Sequence, residues 1–184
     1  HLPETELYAV CTAHEETARA AAQKYNVELA YSNDMAMNEN PQVEATAVVV
    51  RVPVHYVLTK NALEAGKHVL CEKPTALNSA EVVTMFAACK ANGVQFMDGT
   101  MWSHHPRTID MKAVLKRGKL GRLRRITSAF TVNIADTPEQ IRFNPELGGG
   151  AIYDLGWYCV RAALWAFDDI PQRVYATGEY HRGV

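Results

Sequence analysis

Short apolar runs alternate with amphipathic stretches through the first half of the chain. Residues 45–52 form a continuous apolar, β-branched run, as expected of a buried parallel strand, and residues 6–12 and 68–71 follow a similar pattern. The stretches between these runs place charged residues on one side, which predicts helices. Because strands and helices of this length alternate, the pattern predicts an α/β fold with a doubly wound parallel sheet.

The predicted boundaries of these elements come from turn and capping residues. Asn78 and Glu81 have the spacing of a capping box at a helix start, and Gly66 and Gly93 suit helix ends. Strands are predicted over 6–12, 30–32, 45–52, 68–71 and 94–97, and helices over 15–26, 33–39, 55–65 and 78–92. In such sheets ligands bind beyond the carboxyl ends of the strands. Those ends are Thr12-Ala13, Val52-Pro53, Glu72-Lys73-Pro74 and Gly99-Thr100.

The second half has a different pattern. The sequence predicts helices over 105–119 and 151–167 and longer strands over 122–134 and 173–180. This order indicates the start of an α+β domain, with a boundary between about residues 100 and 122. We therefore divide the chain into an incomplete Rossmann-type domain, residues 1–104, and the beginning of a second domain, residues 105–184.

Composition narrows the classes of partner. The chain has 19 basic and 20 acidic residues and a net charge of −1, which favours neither nucleic acid nor a membrane surface. No apolar run approaches the length of a membrane helix. The four cysteines, Cys11, Cys71, Cys89 and Cys159, are widely spaced among apolar neighbours, which predicts buried free thiols and fits a cytoplasmic protein.

Three residues carry the candidate chemistry. Lys73 ends a predicted buried strand, and Pro74 stops that strand and limits how Lys73 projects. Asp154 and Tyr158 lie four residues apart and therefore share one helix face. A phenol can serve as general acid or base when a cation such as Lys73 lowers its pKa. The alternatives are a solvated strand-end lysine, a carboxylate favoured by the first helical turn and a core aromatic residue.

Several further residues have two possible functions. Gly148, Gly149 and Gly150 precede a helix and could cradle an anion, or form a tight turn. Arg142 could reach a cofactor phosphate or a nearby carboxylate. His14 and His55 lie at strand-to-helix junctions, where each could bind a ligand or cap its own helix. Trp102, His104 and His105 follow a predicted strand and could line a polyol pocket, while further ligands at metal-binding spacing are lacking.

Two segments resemble a known family. Residues 65–74, AGKHVLCEKP, are similar to the signature of the glucose-fructose oxidoreductase/inositol 2-dehydrogenase (Gfo/Idh/MocA) superfamily. Residues 142–158, RFNPELGGGAIYDLGWY, resemble its subgroup with glucose-fructose oxidoreductase and dimeric dihydrodiol dehydrogenase, because many other members have His where Tyr158 stands. The resemblance runs over essentially the whole chain.

The resemblance implies an NAD(P)-dependent oxidoreductase that acts on the CH–OH group of a sugar, polyol or dihydrodiol-like alcohol. It implies that Lys73 is the catalytic lysine, Tyr158 the proton donor or acceptor and Asp154 a substrate-orienting carboxylate. Glu72 and Pro74 would lie against the nicotinamide riboside, and Arg142 would help to hold the cofactor. It also implies a small-molecule substrate and a homo-oligomer, a dimer or tetramer.

The sequence departs from the family pattern in three places. It has no G-x-G-x-x-G, which the family carries in a strand–turn–helix before the position of residue 1. It ends before most of the second domain's sheet. The family often has Pro-Asn and then His after its fourth strand, whereas this chain has RVPVH over residues 51–55, so that only His55 matches comfortably. By this resemblance we assign Pro53 and His55 to the cofactor-binding residues. We therefore expect an internal fragment. The alternatives to an enzyme are a non-catalytic dinucleotide- or sugar-sensing protein and an inactive fragment.

The end of the first predicted strand bears on the cofactor. NAD enzymes have an acidic residue near this point that binds the ribose 2′-hydroxyl. Here the strand ends in Thr12-Ala13-His14 without a carboxylate, and Thr12 and His14 could donate hydrogen bonds to a 2′-phosphate. The sequence therefore favours NADP over NAD, although NAD is not excluded.

Overall fold

The computed structural model describes residues 4–137 and 140–184. The chain divides into two compact units, His1–Gly99 and Thr100–Val184, and each is described separately below. The sequence analysis placed the division after residue 104 instead. The assignment of a cofactor-binding and a substrate-binding role to the two parts stays a prediction.

The first unit alternates strands with helices, as predicted. Its strands are β1 (Ala9–Cys11), β2 (Leu29–Tyr31), β3 (Ala45–Val48), β4 (His68–Cys71) and β5 (Phe96–Asp98). Its helices are α1 (Glu15–Tyr25), α2 (Asp34–Glu39), α3 (His55–Glu64) and α4 (Ser79–Asn92). The bounds of β4 agree with the prediction, because Lys67 and Glu72 enclose a short apolar run.

The strands pair in parallel in two groups. β1 pairs with β2, and β4 lies between β3 and β5. In the doubly wound order 3-2-1-4-5-6 these groups correspond to strands 3-2 and 4-5-6. The α/β class with a Rossmann-type parallel sheet is confirmed, although among the described residues the strands form two sheets rather than one.

The core of the first unit lies between β3–β4 and the helices α3 and α4. Leu63, Met85 and Cys71 are fully buried there, together with Val48 and Val69. The two residues of the predicted capping box act at the start of α4. Asn78 Oδ1 accepts a hydrogen bond from the Glu81 amide at 3.0 Å, which satisfies an amide that a helix start otherwise leaves unpaired. The Glu81 carboxylate reaches back to the Leu77 amide at 3.0 Å, one residue before the N-cap.

The regular secondary structure described in the second unit is helical. Its helices are α5 (Pro106–Lys116) and α6 (Trp157–Phe167), and a π-helical turn, Ile152–Gly156, leads directly into α6. The helix predicted over 151–167 is therefore present with a wider first turn. A π-helical turn closes its hydrogen bonds over one more residue than an α-helix, and no hydrophobic period in the sequence encodes that extra residue.

The prediction of strands over 122–134 and 173–180 was wrong for this structure. Among the described residues, neither segment is assigned to a strand. Their β-branched and aromatic residues suit a pleated, half-buried surface. A strand also needs a neighbour to accept its backbone hydrogen bonds, and composition does not supply one. Tyr175 and Val174 accordingly remain almost fully exposed.

The cysteines are free thiols, as predicted, but their burial was overestimated. Cys71 is buried, whereas Cys11, Cys89 and Cys159 are only partly buried. Among the described residues, no helix is long and apolar enough to cross a membrane.

Candidate functional site

In the first unit, hydrogen bonds from two successive amides hold the main chain directly after β4 in place. The Glu72 amide donates to the Val48 carbonyl oxygen at 2.9 Å, which extends the pairing with β3. The Glu72 carboxylate then accepts a hydrogen bond from the Lys73 amide at 3.0 Å. A Cβ on Gly99 would lie 3.2 Å from that carboxylate, so a glycine after β5 allows Glu72 to fold against it. Lys73 therefore projects from a fixed point at the carboxyl end of β4.

The side chain of His55 contacts the main chain of the same loop. Its side chain is 1% exposed. Its Nδ1 lies 2.8 Å from the Pro74 carbonyl oxygen, and its Nε2 lies 2.9 Å from the Val50 carbonyl oxygen. In the structure both ring nitrogens of His55, which the sequence predicts to bind cofactor, face main-chain carbonyl groups. The structure therefore gives His55 a bracing contact to the loop of Lys73 and Pro74.

Cys71 lies beneath this loop and is not available as a nucleophile. Its sulfur is 3.4 Å from the Glu72 carbonyl oxygen. Burial raises the pKa of the Cys71 thiol, with smaller upward contributions from the carboxylates of Glu72 and Asp98, and these outweigh the lowering effect of a hydrogen bond with Thr59. Because the thiolate is the reactive form, Cys71 is an inert core residue at neutral pH.

Thr12 and His14 lie at the junction of β1 and α1. The Thr12 hydroxyl is 2.5 Å from the Thr17 hydroxyl and 2.9 Å from the His14 carbonyl oxygen. The His14 side chain is exposed and makes no capping hydrogen bond to α1. Two acidic residues, Glu15 and Glu16, occupy the first turn of α1. Hydrogen-bond donors and carboxylates are therefore both present at this strand end.

Pro53, which follows β3, lies in a short 3₁₀ turn just before α3.

In the second unit, Arg142 pairs with Asp154. The Arg142 Nε donates to Asp154 Oδ2 at 2.5 Å, and its Nη1 donates to Gln140 Oε1 at 3.2 Å. The side chains of Arg142 and Asp154 are 44% and 22% exposed. The sequence allowed Arg142 to contact either a cofactor phosphate or a nearby carboxylate. In the structure it contacts the Asp154 carboxylate. The predicted cofactor contact of Arg142 stays a prediction.

The three glycines before the π-helical turn form a tight turn. The amides of Gly148, Gly149 and Gly150 donate to the carbonyl oxygens of Pro145, Asn144 and Arg142 at 3.1, 3.0 and 2.9 Å. A Cβ on Gly149 would lie only 2.7 Å from two of these oxygens, so the close approach requires glycine. The alternative of an anion cradle is wrong for this structure, because all three amides already have internal acceptors.

The ring of Tyr158 packs against two aromatic rings, that of Trp157 in the same helix and that of Phe130 in the segment 122–134. Its ring centroid lies 3.8 Å from that of Trp157 and 5.3 Å from that of Phe130. Asp154 lies in the π-helical turn that precedes α6, and Tyr158 lies in the first turn of α6. The ring of Tyr158 is thus fixed by packing.

The remaining predicted substrate residues follow β5. Trp102 packs edge-on against Trp165, with ring centroids 5.6 Å apart. His105 caps α5 by accepting a hydrogen bond from the Arg107 amide at 3.1 Å, and His104 is exposed in the preceding 3₁₀ turn. These contacts give Trp102 and His105 structural roles, while a substrate contact by any of the three stays a prediction. Among the described residues, no group of three His, Cys, Asp or Glu side chains is placed to hold a metal.

Sequence reasoning missed three contributors to these arrangements. The Val50 carbonyl is a main-chain acceptor, and no pattern of side chains marks it. Gln140 is an isolated polar residue whose partner lies two positions away. Phe130 was assigned to a predicted strand, where its alternation indicated sheet packing rather than contact with Tyr158.

Two family models match most of the chain, one after the other. A model described as oxidoreductase family, NAD-binding Rossmann fold, matches residues 1–100. A model of the GFO/IDH/MocA C-terminal domain matches residues 108–184.

Individual proteins show the same similarity. The chain is 33% identical over 174 residues to D-xylose 1-dehydrogenase (NADP(+)) 2 of Haloferax volcanii, covering 95% of this chain and 53% of the relative. It is 33% identical over 183 residues to trans-1,2-dihydrobenzene-1,2-diol dehydrogenase of Mus musculus, covering 98% and 54%. The structure of aldose-aldose oxidoreductase from Caulobacter crescentus with glycerol superposes with a TM-score of 0.76 at 28% identity, covering 90% and 51%. The chain thus spans about half the length of the proteins it matches.

Proposed function

The chain belongs to the Gfo/Idh/MocA oxidoreductase family, and we propose that the whole protein transfers a hydride between NADP and a sugar, polyol or dihydrodiol-like alcohol. The relatives whose names state an activity are a xylose dehydrogenase and dihydrodiol dehydrogenases. All of these names describe oxidation or reduction at a carbon that carries a hydroxyl group. We therefore propose that shared reaction and name no individual alcohol as the substrate.

The observation that carries the proposal is the fixed position of Lys73. Its amide is held by the Glu72 carboxylate at 3.0 Å, directly after a strand of the parallel sheet. In parallel sheets of this kind, the carboxyl ends of the strands border the ligand crevice. An ammonium group at that edge can donate a hydrogen bond to a substrate hydroxyl and stabilise the alkoxide that forms when the proton leaves.

We assign the proton transfer to Tyr158 and substrate orientation to Asp154. Packing against Trp157 and Phe130 fixes the ring of Tyr158, which suits a group that must meet one substrate oxygen in one direction. Arg142 neutralises and orients the Asp154 carboxylate, and a carboxylate has enough acceptor positions to bind a substrate hydroxyl in addition to the guanidinium. We do not assign Trp102, His104 or His105 to more than the wall of the substrate pocket.

The residues at the end of β1 fit a dinucleotide, and we propose NADP. When bound, the nicotinamide ring supplies or accepts the hydride. The exposed His14 side chain offers a donor for a 2′-phosphate. The Thr12 hydroxyl donates to the His14 carbonyl oxygen in this structure, so its proposed contact with the phosphate requires that bond to be exchanged. The negative charges of Glu15 and Glu16 would repel a 2′-phosphate, although an ion pair with Arg19 offsets the charge of Glu15. Glu72, Pro53 and Pro74 are assigned to the nicotinamide side, and Arg142 keeps its proposed cofactor contact through the Nη groups.

Two features of the setting belong to the same proposal. We place the protein in the cytoplasm, because its four cysteines are free thiols and a reducing compartment maintains that state. We also propose a homo-oligomer, a dimer or tetramer, which rests on the family resemblance alone.

The test is a substrate survey with the whole protein. Aldoses, polyols and trans-dihydrodiols are each supplied with NADP⁺ or NAD⁺, and the absorbance of the reduced nicotinamide is followed. We expect turnover with at least one of these alcohols and faster turnover with NADP⁺. Cofactor binding, measured by NADPH fluorescence, without turnover of any alcohol or of the corresponding carbonyl compounds would instead identify a sensing protein.

A further inference from the structure

The buried ring of His55 lies between two main-chain carbonyl oxygens that belong to different loops. Its Nδ1 is 2.8 Å from the Pro74 oxygen, and its Nε2 is 2.9 Å from the Val50 oxygen. We propose that His55 is a positioning residue for Lys73, and that it acts as a doubly protonated imidazolium that ties the loop after β4 to the loop after β3. The reaction that this tie would serve rests on the proposed function, whereas the tie itself does not.

The two acceptors determine the protonation state. A carbonyl oxygen can only accept a hydrogen bond, and a neutral imidazole has a single N–H. A neutral ring would therefore satisfy one carbonyl and place the lone pair of its other nitrogen against the second oxygen at less than 3 Å. The imidazolium has two N–H groups on opposite sides of the ring and satisfies both. Hydrogen bonds with a charged donor are also about twice as strong as neutral ones.

The proposed charge must be compensated where it lies. His55 is 1% exposed and begins α3, where burial and the helix dipole both oppose a cation. The two carbonyl oxygens, at 2.8 and 2.9 Å from the ring nitrogens, provide the compensation.

The tie acts on Lys73 through its main chain. The Glu72 carboxylate holds the amide of Lys73, and His55 holds the carbonyl of Pro74, so this dipeptide is fixed at both ends. The pyrrolidine ring restricts one of the torsions between these two points. The direction of the Lys73 Cα–Cβ bond is therefore set by hydrogen bonds on either side of it.

Nuclear magnetic resonance of the 184-residue chain tests the protonation state directly. With ¹⁵N-labelled histidine at neutral pH, we expect both ring nitrogens of His55 to carry protons that exchange slowly with water. A ring with one protonated and one bare nitrogen would overturn the proposal. The experiment needs neither cofactor nor turnover, so its outcome is independent of the proposed function, and it uses the unmodified chain, so it does not depend on whether a variant folds.

Amide hydrogen exchange tests the positioning. In His55→Leu we expect the Lys73 amide to exchange about tenfold faster, because the hydrogen bonds that fix the Pro74 carbonyl are lost. His55→Gln keeps one donor group and should recover part of that protection. Met85→Ala is the matched control, since it removes a fully buried side chain of the same core that lies on α4 rather than in the loop. It should lower global protection and leave the exchange of Lys73 relative to the core unchanged.

Kinetics of the whole protein then separate positioning from general loss of structure. We expect His55→Leu to lower kcat about tenfold while the KM for the cofactor stays unchanged, because the variant alters only the direction in which the Lys73 side chain projects. Met85→Ala should leave kcat as it is. Equal losses in both variants, or Lys73 exchange that follows global stability, would mean that His55 is a core residue without a positioning role.

Discussion

The Arg142 Nε lies 2.5 Å from Asp154 Oδ2 and joins the loop before the three glycines to the π-helical turn after them. The glycine amides reinforce this connection, because Gly150 donates to the Arg142 carbonyl at 2.9 Å. Arg142 thus holds the last glycine of the turn through its main chain and the π-helical turn through its side chain. The arrangement fixes the start of the helix that carries Tyr158.

A double-mutant cycle on Arg142→Gln and Asp154→Asn should detect this pair. Both side chains are partly exposed, so solvent screening reduces the interaction to a coupling of about 0.5–1 kcal/mol in the free energy of unfolding. Urea unfolding of the wild type, the two single variants and the double variant measures it. The i, i+4 pair of Lys60 and Glu64 gives a comparison with smaller expected coupling. Strictly additive single effects would show that the Arg142–Asp154 contact contributes nothing.

Removing the proposed chemical groups should lower turnover. Lys73→Ala and Tyr158→Phe are each expected to reduce kcat of the whole protein by about 100-fold or more, because each removes a group that acts on the reacting hydroxyl. Tyr158→Phe keeps the ring that packs on Trp157 and Phe130, so this packing should be preserved in the variant. Tyr25→Phe, on the exposed end of α1, is the control for loss of a hydroxyl. Wild-type turnover in both variants would remove the basis of the proposed mechanism.

The choice of cofactor can be tested at His14. If its exposed imidazole contacts the 2′-phosphate, His14→Ala should weaken NADPH binding roughly 10-fold and leave NADH binding nearly unchanged, since a charge-assisted hydrogen bond contributes about 1.5–3 kcal/mol. Fluorescence titration with the two dinucleotides measures both constants. Glu16→Gln should act in the opposite direction by removing a negative charge from the first turn of α1. Equal weakening of NADPH and NADH binding would exclude recognition of the 2′-phosphate by His14.

The first unit could be predicted from the sequence in most respects, because its elements are set by local patterns. An apolar run defined β4, and Asn78 with Glu81 defined the start of α4. The contacts that give the site its geometry could not be predicted. The acceptors of His55 are main-chain oxygens that lie 5 and 19 residues away, and no residue type identifies them. In the second unit, residues 122–134 have strand composition, but composition does not state whether a pairing partner is present.

The capping box of α4 provides a stability test of the local prediction. Asn78→Ala removes the acceptor for the Glu81 amide and should cost about 1 kcal/mol of unfolding free energy. Ser79→Ala is the matched control, because Ser79 is exposed at the first helical position of the same helix. Urea unfolding should separate the two variants clearly. A cost for Ser79→Ala as large as that for Asn78→Ala would indicate that the Asn78 side chain is not the cap.

The ion pair at the end of α6 should make stability depend on pH. A hydrogen bond from the Lys112 side chain, together with the charges of Lys112 and Lys116, lowers the pKa of Asp168 below its ordinary value. The Lys112 Nζ lies 3.0 Å from Asp168 Oδ1. Because the folded-state pKa is lower than the unfolded-state pKa, the stabilisation is present at neutral pH. It is lost as the pH falls from the usual aspartate range through the folded-state pKa.

Asp168→Asn should therefore lower the unfolding temperature at neutral pH, and its difference from the wild type should shrink steadily in acid. Asparagine tolerates the left-handed backbone conformation at this position, where φ is +58°, so the substitution tests the charge rather than the backbone. Asp169→Asn, on the adjacent residue, is the control and should show a smaller dependence. Thermal unfolding monitored by circular dichroism between neutral and acidic pH measures all three proteins. Added salt should also reduce the neutral-pH difference, since the pair is exposed to screening. A difference that stays constant across the acidic range would show that the Asp168 carboxylate does not stabilise the folded state through its charge.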